Sequence, residues 1–253
     1  MTTAPTATRV APKPQLLGQT VVVIGGSAGI GLETARLARV EGAGVILTAR
    51  HPERLRAVGE ELGALHTDAF DATDFDRLET FFDGLPTPID HVLVTGPGPY
   101  YAPLAEFDFE KAQHDVEAHL FLPMHVAQNA AGKVRPRGTL LFMGGTGGRS
   151  TGVGLSLISA LTAAGPALAR NLALELAPIR VNVIAAGFVD TPLSESLLGD
   201  QIEERREELR TTLPIRRIVG PADIAALAVH LMANTAITGA TFDIDGGQQL
   251  VKG

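Results

Sequence analysis

An apolar run, Val21-Val22-Val23-Ile24, breaks into Gly25-Gly26-Ser27-Ala28-Gly29-Ile30-Gly31 and passes directly into an amphipathic pattern from Leu32 to Val40. A buried strand, a glycine turn and a helix start, in that order, make an anion site. Glycine tolerates positive φ and lets a ligand approach the backbone, and the free amides and dipole of a helix N-terminus favour a pyrophosphate. Gly25, Ser27, Ala28, Gly29, Ile30 and Gly31 are therefore candidate phosphate contacts, and a dinucleotide is the candidate ligand. Other residue types exclude more than they offer. The chain has no Cys, which removes disulfides, thiolate catalysis and cysteine-ligated metal and is compatible with a reducing cytoplasm, the expected location. His114, His119 and His125 are five and six residues apart, on different faces of a helix, so no metal site is expected.

Holding such a turn takes a sheet covered on both faces. From Gly18 onward, short β-branched runs alternate with longer helical patterns, as in repeated βαβ units. Strands are predicted over 20–24, 44–48, 64–67, 90–95, 138–143, 180–185 and 241–244, with helices beginning near Gly29, Pro52, Asp74, Pro103, Gly154, Leu193 and Pro221. A length of 253 residues, 45% hydrophobic and 19% charged, suits one α/β domain. Residues 1–17 read as a flexible tail and 18–253 as the domain. A formal charge of −7 without a basic run argues against a nucleic-acid surface. No apolar run is expected to reach the roughly 18–20 residues that span a bilayer, and a small molecule is the expected partner, not a membrane.

Several motifs occur in the order found in short-chain dehydrogenases/reductases. They are Gly25-x-x-x-Gly29-Ile30-Gly31, Asp71 after the third strand, Asn182 within Ile179-Arg180-Val181-Asn182-Val183, Gly187-x-x-x-Thr191-Pro192, and Asp245-Gly246-Gly247. The chain resembles that family from about Gly18 to Leu250, most specifically over 172–182. The resemblance implies a Rossmann-like, doubly wound parallel sheet of seven strands, in the order 3-2-1-4-5-6-7, with NAD(P) at the carboxyl ends of the strands. It further implies that Asp71 and Ala72 edge the adenine, that Gly96 and Gly98 belong to the turn after the fourth strand, and that Gly187, Val189 and Thr191 face the carboxamide. An Asp at 71 can equally cap the following helix. The second strand ends in Thr48-Ala49-Arg50, with no acid to accept ribose hydroxyls. The Arg50 guanidinium suits a 2′-phosphate, which favours NADP(H) over NAD(H), unless Arg50 is simply a solvated loop charge.

The catalytic end departs from the family. Its members use a Tyr acid/base, a Lys four residues later, a Ser thirteen residues before the Tyr and an Asn on the preceding helix. By that alignment these positions fall on Ile158, Thr162, Gly145 and His119, and residues 143–180 contain neither Tyr nor Lys. Ile exchanges no proton and Thr supplies no cation, so both roles are lost as functional groups. The candidates left are Tyr100 and Tyr101, the only tyrosines, on the loop that edges the site by family geometry, with His119 as a relay and Thr146 beside the Ser position. Each also has a plain structural reading, as packing or as a satisfied helix residue.

In the resembling family the segment after Thr191 is the substrate lid, here about 192–214. Its leucines, including Leu193 and Leu197, read as an apolar pocket wall, and Glu203 to Glu208 as a solvated charged face. The helix expected over 154–177 is apolar nearly all round. With its neighbour, it builds a two-fold interface in the family, so a homodimer or homotetramer is expected. Two function classes stand: an NADP(H)-dependent oxidoreductase acting on an apolar carbonyl or alcohol by a nonstandard proton path, and a catalytically inactive dinucleotide-binding protein with a regulatory or scaffold role.

Overall fold

The computed structural model describes residues 14–149 and 151–251. Seven parallel strands form one sheet: β1 (Thr20–Ile24), β2 (Gly44–Ala49), β3 (His66–Ala69), β4 (Ile89–Val94), β5 (Val134–Gly145), β6 (Arg180–Ala186) and β7 (Thr241–Ile244), in the order β3-β2-β1-β4-β5-β6-β7. The helices are α1 (Gly29–Val40), α2 (Pro52–Leu62), α3 (Phe75–Gly84), α4 (Phe109–Val116), α5 (Leu122–Ala130), α6 (Ser156–Glu175), α7 (Pro192–Leu198), α8 (Ile202–Thr212) and α9 (Pro221–Ala233). A wide π-turn, Glu117–Phe121, joins α4 to α5.

Helices cover both faces, and the strand sequences show why. Val22, Ile24, Val92 and Leu140 point into one core, and Val21, Val23, Leu47 and Leu93 into the other. Successive side chains of a strand alternate between faces, so a strand apolar at every position is stable only when both faces are covered. The expected fold and strand order are thus what the chain adopts. Where the order reverses, β1 sends one edge to β2 and the other to β4, with Val22 opposite both Ile46 and Val92. A crevice opens there, beyond the carboxyl ends of β1 and β4.

Several boundaries move. Residues 14–17 belong to the domain, not to the tail: Leu16 is fully buried, its N–H donates to the Glu41 carbonyl at 3.0 Å, and the Gln15 N–H donates to Glu41 Oε2 at 2.7 Å. The rest of the proposed tail, 1–13, lies outside the described residues. The helix expected near Pro103 starts at Phe109, where the Asp108 carboxylate accepts from the Glu110 and Lys111 N–H groups, after a short 3-10 turn at Leu104–Glu106. The single lid pattern is two helices, α7 and α8, broken at Gly199. At 20 residues and a mean hydropathy of 1.3, α6 is long and apolar enough by composition to cross a membrane. The expectation that no apolar stretch reaches such a length therefore does not hold for α6, because scattered Ser, Thr, Asn and Arg leave its mean hydropathy high. Here Ile158, Leu161 and Ala169 seat it on the fold. It continues through Pro166, which has no N–H for the Thr162 carbonyl.

Candidate functional site

The glycine turn sits in the crevice and is tied to both neighbouring strands. Gly25 and Gly26 each donate a backbone N–H to the Thr48 carbonyl at 2.9 Å, and the Thr95 N–H donates to the Ile24 carbonyl at 2.9 Å. Thr95 Oγ1 donates to the carbonyls of Ile24 and Gly25, at 2.9 and 3.2 Å. Gly25 has φ +89, and a Cβ there would lie 2.1 Å from Thr95 Oγ1. Gly31 crosses so close beneath that its Cβ would lie 2.3 Å from the Gly25 carbonyl oxygen. These contacts fold the chain back and aim the start of α1 into the crevice. Ala28, at the N-cap, is extended and offers no side chain to the first-turn amides, and that turn carries no acid. An uncapped helix N-terminus facing an open crevice is a donor set for phosphate oxygens.

Two side chains flank the cradle at the ends of β2 and β3. Arg50 is exposed and forms no ion pair among the described residues. Asp71 Oδ1 accepts from the Thr73 N–H at 3.0 Å and from Thr73 Oγ1 at 2.8 Å. Burial pushes the Asp71 pKa up, but the two Thr73 bonds and the nearby positive charge of Arg50 and His114 outweigh it and hold the carboxyl below its usual value. The cap of α3 is Asp74, which accepts from the Arg77 N–H at 3.1 Å. Asp71 is therefore not the cap. Ala72 packs beside it against the core.

The opposite wall comes from the loop after β6. Thr191 lies against the glycine turn, its Cγ2 3.4 Å from where a Gly29 Cβ would be, and its Oγ1 caps α7 by accepting from the Ser194 N–H at 3.3 Å. The Phe188 N–H donates to Gln248 Oε1 at 2.8 Å, and Gly187 is packed against Gln248 and Asp245, a support that no local sequence pattern announces. Val189 is buried, and its backbone forms an isolated parallel β-bridge with Val219. Past Thr191, Leu193 and Leu197 of α7 close over Gly98, with Leu193 Cδ1 2.9 Å from a Gly98 Cβ position. Arg206 of α8 ties α7 and the loop before it together, bonding Asp190 at 2.7 Å, Glu195 at 2.7 Å and also Glu203.

Beyond β4 and β5, the remaining candidates separate. The Tyr100 hydroxyl accepts from the Asp108 N–H at 2.9 Å and its ring packs on Phe107, so it is built into the start of α4. Tyr101 is about half exposed, and partial burial together with the Asp115 charge raises its pKa. Thr146 is buried in the short turn that follows β5. Ile158 is buried, and Thr162 Oγ1 donates to the carbonyls of Ile158 at 2.8 Å and Ser159 at 3.2 Å, within its own helix. Gly145 leaves a gap that Thr162 Cγ2 borders, 3.2 Å from a Cβ position. Two adjoining cavities, of about 30 and about 210 Å³, share the walls Gly144, Thr162 and Val183. His119 lines the smaller; the larger reaches Arg149 and Thr241.

His119 is the polar candidate that the fold brings to the crevice. Its Nε2 lies 3.8 Å from where a Cβ on Gly96 would be, and Gly96 follows directly on the Thr95 that grips the glycine turn. Its Nδ1 is 3.0 Å from both the carbonyl oxygen and Oδ1 of Asp115. Burial lowers the His119 pKa, but the hydrogen bonds and charge of Asp115 outweigh that and raise it above the ordinary histidine value. Asp115 was missed at the level of sequence; the only signal was its spacing of four from His119 on a helical stretch.

The model of a family described as enoyl-(acyl carrier protein) reductase matches residues 25–249. The short-chain dehydrogenase/reductase ATR9 of Stachybotrys chlorohalonatus is 29% identical over 92% of this chain and 98% of its own length. The 3-oxoacyl-acyl-carrier-protein reductase MabA of Mycobacterium tuberculosis is 30% identical over 93% of this chain and 94% of its own. Among solved structures, the MalC reductase/Diels-Alderase of Malbranchea aurantiaca superposes with a TM-score of 0.86 at 26% identity, covering 94% of this chain and 99% of that one.

Proposed function

Because the chain belongs to the short-chain dehydrogenase/reductase family of oxidoreductases, we propose that it binds NADP(H) and transfers hydride between the nicotinamide and an apolar carbonyl or alcohol, by a proton path unlike the family's. The observation that carries the cofactor half is the uncapped, acid-free start of α1 in the crevice, with an exposed Arg50 just after β2 that forms no ion pair among the described residues. Residues 25–31 hold the pyrophosphate, Arg50 pairs with the 2′-phosphate, and Asp71 and Ala72 edge the adenine, while Gly96, Gly98, Gly187, Val189 and Thr191 frame the nicotinamide end. The bound nicotinamide supplies or accepts the hydride. Leu193 and Leu197 wall the substrate space, which favours an apolar substrate and excludes water from the reacting carbon. Two relatives, MabA and MalC, are themselves named as reductases.

The proton path is the unusual part. The family positions for Tyr, Lys, Ser and Asn are Ile158, Thr162, Gly145 and His119, and Thr162 spends its hydroxyl on its own helix. That commitment favours the second reading, a catalytically silent dinucleotide-binding protein. Fluorescence titration with NADPH and NADH, followed by a screen of apolar ketones for NADPH oxidation, separates the two. Binding with turnover is the expected result; tight binding without turnover supports the silent protein, and no binding of either nucleotide overturns both. Arg50→Asp is expected to weaken NADPH binding at least tenfold, the equivalent of about 1.4 kcal/mol, and to favour NADH. An unchanged preference removes Arg50 from cofactor selection.

A homodimer or homotetramer is part of the same proposal. Leu104, Phe109, Phe121 and Met124 on the stretch around α4 and α5, and Leu174 on α6, are exposed apolar side chains. Light scattering at micromolar concentration is expected to give a multiple of the 26.5 kDa chain mass, and a monomer mass overturns the assembly.

A further inference from the structure

Asp115 is 3% exposed, and its Oδ2 has no hydrogen-bond partner among the described residues. A buried polar atom left unpaired costs about 1–3 kcal/mol, and more when charged, so a fold that keeps one usually has a use for it. The side chain paired with this carboxylate among the described residues is the His119 imidazole. Its Oδ1 and its own carbonyl oxygen both lie 3.0 Å from His119 Nδ1. That leaves Nε2 3.8 Å from where a Cβ on Gly96 would be, with no other heavy atom beyond the glycine's chain neighbours within 4 Å of that position among the described residues. The π-turn Glu117–Phe121 carries His119 into this position; an extra residue in a helical turn re-aims the side chains that follow it and is found often at functional sites.

We propose that His119 is the proton donor and acceptor of this site and that Asp115 is the positioning residue that orients it. The proposal rests on the oxidoreductase reading. In the reducing direction the carbonyl carbon takes the hydride supplied by reduced nicotinamide, and the π pair of the C=O bond moves onto oxygen. That oxygen takes the proton from Nε2, and the N–H electron pair stays on nitrogen as neutral imidazole. Water at the exposed edge of the ring, whose side chain is 16% accessible, returns the proton. Oxidation runs through the same atoms in reverse. Asp115 secures the geometry by fixing Nδ1 as a donor, which leaves Nε2 as the exchanging atom.

The surroundings keep the pair isolated. From α5, β5 and α6, Pro123, Met143, Leu161 and Leu168 present apolar groups to the cavity beside the ring, and the Thr162 hydroxyl is bonded to its own helix. His114 and Glu117 face each other at 3.9 Å, and the Tyr101 phenol also senses the Asp115 charge. Among the described residues, no other charged side chain lines the smaller cavity.

The test uses the full chain with isotope-labelled histidine. By NMR, the His119 imidazole is expected to titrate above 6.5, the ordinary value, to fall in Asp115→Asn, and to shift its resonances on addition of NADP+. With NADPH and 2-decalone as probes, His119→Gln is expected to lower kcat/KM about 10²- to 10⁴-fold, the usual contribution of a positioned acid or base, with NADPH affinity unchanged. The wild-type rate of reduction is expected to fall as pH rises through the measured His119 pKa. An imidazole titrating at or below 6.5 in the wild type overturns the proposal, as does a His119→Gln variant that reduces the decalone at the wild-type rate. NADPH binding that leaves the His119 resonances unmoved overturns the proposal alone. Failure to bind NADPH overturns the oxidoreductase reading and the proposal together.

Discussion

Gly31→Ala is expected to abolish measurable NADPH binding at micromolar cofactor and to lower the melting temperature by several degrees. The cause is a collision with backbone. A Cβ at residue 31 would stand 2.3 Å from the carbonyl oxygen and 2.9 Å from the carbonyl carbon of Gly25, with Thr95 Oγ1 at 3.2 Å behind them. No rotamer relieves a clash at Cβ. The Gly25 carbonyl cannot retreat, because its own residue is pinned by the N–H bond to Thr48 and by the Thr95 hydroxyl. The start of α1 therefore moves away from β1, carrying with it the first-turn amides proposed to meet the pyrophosphate. Forcing one methyl into such packing costs about 1–3 kcal/mol, which in a chain this long corresponds to a few degrees in Tm. Gly84→Ala is the control: a Cβ there meets nothing within 4 Å, and the variant is expected to melt and bind as the wild type does. Equal NADPH affinity in Gly31→Ala and wild type, by fluorescence titration, would remove this turn from the cofactor site.

That glycine turn is also where most of the protein is legible from sequence. Four consecutive apolar residues followed by glycines and a helical period leave one economical arrangement, and Val21 to Gly31 adopt it. Legibility fails where periodicity carries no information. His66–Ala69 is a four-residue strand at the edge of the sheet, reading His-Thr-Asp-Ala with no apolar run to mark it, and it begins two residues after its expected start. The strand β5 begins four residues before its expected start because Val134 to Arg137, with Pro136 and two arginines, looks like loop; a register shift against Ile89 and His91 accommodates it. The Asp115–His119 pair was hidden for a different reason. Its spacing is visible, but the π-turn at Glu117–Phe121 breaks the period of 3.6, so which residues face inward after Val116 does not follow from the helical repeat. Gln248 and Arg206 act across long sequence separations, on Phe188 and Asp190, and no local pattern announces such contacts.

The strongest pH dependence of folding is expected from another imidazole, far from the crevice end of the sheet. His91 stands within β4, opposite Val21 and Thr139, and is 2% exposed. Its Nε2 is 2.6 Å from Gln19 Oε1, an acceptor, so Nε2 carries the proton and Nδ1 is bare; Nδ1 is buried without a partner. Protonating Nδ1 would bury a cation among apolar strands. Burial first, and then the cations Arg180 and Arg135, lower its pKa from 6.5 to about 3. The unfolded chain therefore takes up a proton near pH 6.5 that the folded chain refuses until about pH 3. Stability contributed by neutral His91 is present above the unfolded pKa and is lost as pH falls below it, at about 1.4 kcal/mol per pH unit. Between pH 6.5 and 4.5 that amounts to about 2–3 kcal/mol. His119 works in the opposite sense: its raised pKa gives stability at low pH that disappears as pH rises through the folded value, so it cannot imitate the effect. His91→Leu fills a similar volume without a titrating group, while every carboxylate stays common to both proteins. Urea unfolding at pH 6.5, 5.5 and 4.5 is expected to show the wild type losing stability faster than His91→Leu by that amount; parallel losses would mean that His91 takes up its proton equally in both states and that Gln19 and the two arginines do not hold it neutral.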